Sequence, residues 1–425
     1  MDSSSAPAAP AQGFGWLAQF CVARALFSMA QTSYAASLPL LKGDWQMTAG
    51  QSGLVSSAYY FGFLVSLFVV GFLADRIGAK RTYLATSALA AASALLFALL
   101  ANGFPSALVL FGLNGLFSGG SYTPGLAILA QRFPSRGRGR AIGFYIAASS
   151  AGYAVSLLLS GLMISLSGWR AAFLVTCSGP ALGMVLGAWV LRHIPNVIPP
   201  PSPDQPEGNL LSAVVTNRPA MLMIFAYTAH SWELLGMWAW ITFYLSFLFS
   251  GGEATSAGAS LGATFTALAY LVSVGGPIAG GSLSDRLGRT TVILIMSLAS
   301  VVCSFTLGWL SAAPLWLVVG WVFAYQFTSI ADSPVLSTAQ TELVSPRYLG
   351  AAYSLRSVLG FGAGTISPWA FGVVLDWARG PALQSQFLAF GLAFSMLGLG
   401  GMLCPLAIAW LRRMPESSRM AGGMR

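Results

Sequence analysis

Gly71-Phe72-Leu73-Ala74-Asp75-Arg76-Ile77-Gly78-Ala79-Lys80-Arg81 ends one long apolar segment, and Gly281-Ser282-Leu283-Ser284-Asp285-Arg286-Leu287-Gly288-Arg289 ends another, 210 positions later. Both read G-x-L-x-D-R-x-G, with Arg or Lys close behind. Each marks a point where the chain leaves an apolar stretch for a short basic loop. The chain around them has 425 residues, of which 56% are hydrophobic and 8% charged. Soluble domains carry about 25% charged residues, so most of this surface cannot face water. A bilayer-spanning helix needs about 20 mostly apolar residues. Twelve such runs occur, at 15–41, 50–74, 82–101, 105–131, 140–165, 170–191, 219–249, 257–283, 291–311, 314–341, 349–375 and 384–411. They are continuous rather than alternating, which predicts an all-α membrane protein and not a barrel.

The net charge of +9 is distributed by topology. With both termini on the cytoplasmic side, sixteen of the 21 Lys and Arg fall there, while Lys42, Arg170 and Arg379 fall outside. That is the positive-inside asymmetry, and it argues against a nucleic-acid partner. Residues 1–13 are Ser/Ala/Pro-rich without a basic region, so helix 1 is expected to be retained and the terminus disordered. Residues 193–217 hold six prolines and read as a cytoplasmic linker. It divides a six-helix half at 14–192 from a second at 218–412, and the polar tail 413–425 is expected to be disordered. Cys21, Cys177, Cys303 and Cys404 all sit in apolar runs without metal-ligand spacing, as packing residues do.

The repetition goes further. Tyr60 precedes Asp75 by fifteen residues, and Tyr270 precedes Asp285 by fifteen. Ser121-Tyr122-Thr123-Pro124 matches Ala331-Asp332-Ser333-Pro334, and Arg136-x-x-Gly139-x-Ala141 matches Arg347-x-x-Gly350-x-Ala352. The paired G-x-L-x-D-R-x-G resembles motif A of the major facilitator superfamily, and the resemblance spans nearly the whole chain. It implies two pseudo-symmetric six-helix bundles that rock about a central cavity. Helices 1, 4, 7 and 10 then line the cavity, 2, 5, 8 and 11 flank it, and 3, 6, 9 and 12 face lipid. It also implies a conformational latch built from Gly71, Asp75, Arg76, Gly78 and Arg81, with Arg132 as the partner of Asp75, and from Gly281, Asp285, Arg286 and Gly288. Gly71 and Gly281 permit close helix approach, and Gly78 and Gly288 a tight turn. The second half departs from the pattern: Thr341 and Glu342 stand in the region that matches Arg132.

Five ionisable residues lie inside apolar runs: Arg24, His230, Glu233, Asp332 and Arg356. A charge at mid-bilayer costs roughly 2.5–3.5 kcal/mol even on lenient scales. Arg24 lies about ten residues into helix 1, roughly 15 Å deep at 1.5 Å per residue. On the facilitator layout all five fall on lining or flanking helices. Arg24 and Arg356 each offer a planar fork of donors to an oxyanion. Glu233 and Asp332, with His230 one turn from Glu233, are candidates for proton coupling. Met237, Trp240 and Tyr244 continue the His230–Glu233 stripe as an aromatic wall. Tyr60, Tyr122, Tyr145, Trp240 and Tyr270 complete the expected substrate contacts. The alternative is that the two arginines and two acids pair with each other and only hold helices together.

These residues predict a secondary transporter working by alternating access, with proton-coupled uptake of a small carboxylate-like anion by a monomer in a bacterial inner membrane, surrounded by lipid. Proton-driven drug efflux is an alternative, although Phe111 stands where such antiporters carry an arginine and 143–161 lacks their helix-5 proline. Nitrate carriers use arginines in helices 2 and 8, which 50–70 and 257–280 lack. Sugar porters often have a longer central loop and more polar helix faces, which fits poorly. A non-transporting receptor or scaffold would not need paired charges along the cavity. No nucleophile–base pair, phosphate loop or metal-ligand set is present, so no enzyme activity, cofactor or metal is expected.

Overall fold

The computed structural model describes residues 13–133, 135–198, 214–345, 348–380 and 385–423. Within them the apolar runs are helical and no strand occurs. The first half contains α1 (Phe14–Asp44), α2 (Ala49–Ile77), α3 (Ala79–Leu100), α4 (104–132), α5 (Ser135–Ser167) and α6 (Trp169–Leu191). The second contains α7 (Arg218–Phe249), α8 (Ser256–Leu287), α9 (Arg289–Ala312), α10 (Leu315–Leu343), α11 (Leu349–Arg379) and α12 (Gln386–Arg413). Ten of these are long and apolar enough to cross a membrane by length and composition. The other two are α1, which carries Arg24, Ser28, Gln31 and Thr32, and α4, which is interrupted.

Proline explains the interruptions, because it removes an amide donor and clashes with the carbonyl four residues back. Breaks precede Pro124 in α4, Pro180 in α6, Pro277 in α8, Pro334 in α10 and Pro405 in α12. In a bilayer the freed carbonyls need donors from the protein itself. At the α4 break the Tyr145 hydroxyl donates to the Ser121 carbonyl at 2.6 Å.

Exposed apolar side chains suited to lipid occur on α3 (Leu89, Leu99), α6 (Leu182, Val185), α9 (Leu298, Val302) and α12 (Leu403, Leu406). They occur equally on α2 (Phe61, Phe72), α5 (Val155, Leu162), α8 (Leu271, Ile278) and α11 (Ile366, Trp377), so exposure does not single out the expected lipid-facing set. The halves meet along two seams, α2 with α11 and α5 with α8. At the α2–α11 seam a side chain on Gly53 would strike the Pro368 carbonyl, and one on Gly372 would strike the Ala49 carbonyl. Only glycine admits so close a backbone approach. The Asp376 carboxylate then accepts from the amides of Ala49 at 2.8 Å and Gly50 at 2.7 Å, capping α2 from the other half. Nearby, Trp240 is fully buried, stacks on Phe371 and donates to the Pro368 carbonyl at 2.8 Å. This end of the molecule is shut.

At the opposite end lie the repeated motifs. Gly78 and Gly288 take φ of +90° and +89°, a region that favours glycine. Gly71 and Gly281 do not make the expected close approaches: a side chain at either would meet open space. Asp75 is exposed and forms no ion pair with Arg132, whose Nε is buried without a hydrogen-bond partner among the described residues. The expected Asp75–Arg132 contact is therefore not made in this conformation. The second copy is wired differently. Arg289 bridges Asp285 at 2.5 Å and Glu342 at 3.1 Å, joining α8, α9 and α10 within one half.

The start of the linker is pinned. Asn196 donates to the Ile77 carbonyl at 2.7 Å, and Lys80 donates to the Ile194 carbonyl at 2.7 Å. Residues 1–12 and 199–213, which carry the expected disordered terminus and most of the linker, lie outside the described residues, as do Arg347 and the side chain of Arg136. The tail departs from expectation. Pro415–Gly423 forms a 3₁₀ segment against α10 and α12. Met420 is wholly buried in the cluster of Leu336 and Ile408, which gives this segment an apolar anchor that its polar composition conceals.

Two outcomes follow from this packing. Trp240→Ala should lower stability by about 3–5 kcal/mol, whereas Trp238→Ala, half-buried two residues away, should lower it less; thermal unfolding in detergent compares them. Gly53→Val should wedge α2 from α11, so that spin labels across the shut end move apart.

Candidate functional site

A cavity of about 580 Å³ lies between the halves. Its inner end is walled by Gln31, Tyr60 and Trp238. Leu67, Phe68, Tyr353 and Ser354, in turns nearer the motif loops, line it further out, so the cavity runs towards that end.

Arg24 reaches this space from α1, which also brings Gln31, seven residues or two turns further on. Its Nε donates to the Ser149 hydroxyl at 2.8 Å and its Nη1 to the Ser121 hydroxyl at 2.6 Å. The rings of Tyr122 and Tyr145 lie 5.3 and 5.9 Å from its central carbon. The α4 break places Ser121 and Tyr122 at that depth. Arg356 faces the cavity from α11. It donates to the Ser337 hydroxyl at 3.0 Å and packs against Tyr227 at 4.2 Å and Tyr353 at 4.5 Å. Its Nε has no hydrogen-bond partner among the described residues. Among those residues no carboxylate lies within 4 Å of either guanidinium. The two arginines are held by neutral hydroxyls and ring faces, so the cavity carries net positive charge between low-dielectric walls, which focus its field.

The acidic residues are elsewhere. Glu233 turns into the second half, where its Oε1 accepts from the Ser300 hydroxyl at 2.8 Å and its other oxygen abuts Gly401. Asp332 stands at the α10 break, with its Oδ1 3.0 Å from His230 Nδ1. His230 Nε2 is 2.8 Å from the Ser333 hydroxyl. All three are buried in the second half, and none lines the cavity. The expectation that all five charged residues border the wet space is thus corrected for His230, Glu233 and Asp332. The pairing of both arginines with both acids is not seen either.

The expected aromatic contacts divide in the same way. Tyr60 and Tyr122 line the cavity. Tyr270 packs against Tyr153 and Trp238 just beyond its inner end. Tyr145 lies behind the wall, stacked on Phe20, and supports Arg24 from the rear. Trp240 belongs to the shut seam, not to the cavity, and Met237 and Tyr244 are buried with it. The cavity face of α7 is Tyr227, Leu235 and Trp238. Trp238 and Trp240 differ by about 200° around the helix at 3.6 residues per turn. Gln31, Ser149, Tyr153, Tyr227, Trp238 and Tyr353 were not singled out from sequence. Ser149 and Tyr153, four apart on α5, offered the one usable signal, a polar pair on a shared face.

A family model for the Major Facilitator Superfamily matches residues 20–368. The chain is 26% identical to a protein of Cupriavidus necator described as a probable sulfoacetate transporter, over 93% of each chain. It is also 26% identical to a probable 4-methylmuconolactone transporter of Cupriavidus pinatubonensis, over 80% of this chain and 79% of that one. Its fold matches the crystal structure of a point mutant of the nucleoside transporter NupG with a TM-score of 0.76 at 16% identity, over 93% of this chain and 99% of that one. Twelve helices in two similar bundles, a cavity between them and a family match over most of the length agree: the chain is a multi-pass secondary transporter of small molecules and belongs to the major facilitator superfamily.

Proposed function

We propose that this transporter carries a small organic anion, a carboxylate or sulfonate, across a bacterial inner membrane in symport with protons. The observation that carries this reading is the pair of cavity arginines, Arg24 and Arg356, with no carboxylate within 4 Å among the described residues. An oxyanion docked between them gains charge-assisted hydrogen bonds from planar donors. The names of the two Cupriavidus relatives, which denote anionic cargo, support the same class. The basic residues Arg76, Arg81 and Arg286 at the motif end support a cytoplasmic placing of that end and of both termini by the positive-inside rule. The cavity then opens inward, and the shut seam faces out. One chain supplies both arginines, so a monomer suffices.

Proton coupling falls to the buried set behind the wall. His230 is one helical turn from Tyr227, and Tyr227 packs on Arg356. Protonating Asp332 weakens its pairing with His230 and lets α7 shift against the broken α10, which alters the seat of Arg356. Glu233 adds a second buried carboxyl on the same helix. Such a shift drives alternation only if substrate and proton bind the two states unequally. When the motif ends close, Asp75 and Arg132 come within reach of each other, and the latch forms.

Uptake into proteoliposomes across a panel of carboxylates, sulfonates, amino acids and a nucleoside tests the cargo. Arg24→Gln should cut anion uptake about tenfold or more, the worth of one charge-assisted hydrogen bond. Equal uptake by Arg24→Gln and wild type would remove the anion assignment. Separately, Glu233→Gln and Asp332→Asn should lose acceleration by an inward proton gradient while keeping substrate exchange. If both respond to the gradient as wild type does, the coupling residues lie elsewhere.

A further inference from the structure

A second pocket, of about 210 Å³, lies at the shut end, where the outer tips of the halves meet. Lys42 of α1 enters it from the first half, and Arg379 of α11 enters it from the second. Phe243, Phe247, Glu253 and Gln386 are part of the wall on the second-half side. The Arg379 guanidinium lies over the rings of Phe390 at 5.2 Å and Phe247 at 5.7 Å. Its Nε and Nη2 are buried and have no hydrogen-bond partner among the described residues.

The charge of the Asp376 carboxylate acts on both cations, but it offers them no free oxygen. Both oxygens of Asp376 are taken by the amides of Ala49 and Gly50. Glu253 also borders the pocket, but it is exposed and forms no ion pair within 4 Å of either cation. Two cations from opposite halves therefore line a space the size of a small oxyanion with a few waters, since a water occupies about 30 Å³. Nothing in the central cavity takes part.

We propose that this pocket binds a small soluble oxyanion, such as sulfate or a short carboxylate or sulfonate, and that the bound anion clasps the outer ends together. Lys42 and Arg379 belong to different halves, so they face one pocket only while α2 rests on α11. A ligand that binds one state alone shifts the equilibrium to that state. Anion at the outer face thus holds the transporter open to the motif end and slows its return. The site stands apart from the cavity arginines, and only the word "outer" rests on the proposed orientation.

The test uses the full chain in lipid-free detergent, with spin labels at Leu166→Cys and Trp316→Cys, exposed positions at the shut end of opposite halves. Chloride is replaced by sulfate at constant ionic strength. Sulfate should saturably favour the short-distance population, and it should do so equally in Arg24→Gln, which disables the central cavity. Lys42→Gln and Arg379→Gln should each raise the half-saturating sulfate about tenfold or more, with Arg379→Lys partly restoring it. No saturable shift, or one untouched in both Gln variants, overturns the proposal. A shift that vanishes in Arg24→Gln assigns the effect to the cavity and also overturns it. A shift given by added phosphatidylglycerol but not by sulfate overturns it in favour of a lipid headgroup. Loss of anion uptake specificity at Arg24 bears on the cavity alone and leaves this site standing.

Discussion

Where α2 crosses α11, no side chain separates the two backbones at Gly53 and Gly372, and the Asp376 carboxylate takes up the first amide protons of the facing helix. A helix start leaves its amides without intrahelical acceptors, and here the other half of the molecule supplies the acceptor. Backbone contact at one end levers the bundles apart at the other. The cavity, its reach towards the motif loops, the exposure of Asp75 and the open space around Gly71 and Gly281 all accompany this single seam. Small residues do here what the hydrophobic effect does in water, because lipid offers helices no solvent to escape.

Much of the frame was legible in the residues. An offset of 210 carries Gly71 to Gly281, Asp75 to Asp285 and Arg132 to Glu342, so the repeat announces two like halves. Prolines 124, 277 and 334 mark helices that are broken in the structure. Facing was harder to read. In a soluble helix, polarity separates inside from outside, but an apolar membrane helix packs apolar groups on every side. Trp240 therefore looked as eligible as Trp238, though they point nearly opposite ways. The direction of Glu233, towards Ser300 on α9, depends on helix rotation that no spacing encodes. The Asp376 cap joins groups more than three hundred residues apart and left no local mark.

The halves share a frame and differ in sign. Arg132 in the first half corresponds to Glu342 in the second, and Ala79 corresponds to Arg289. The second copy closes on itself through Asp285, Arg289 and Glu342. The first leaves an exposed aspartate and a buried arginine apart. One half is thus internally bound at its motif while the other retains groups that can engage and disengage. The asymmetry extends to the core, where arginines border the cavity and the second half alone keeps acids and a histidine behind its wall.

The short 3₁₀ segment after α12 tucks Met420 among Leu336 and Ile408, on the motif side of the α10 break. A segment seated in this way is a wedge rather than a streamer. Any pull on this segment would be felt by the broken helix, because Met420 is seated against it.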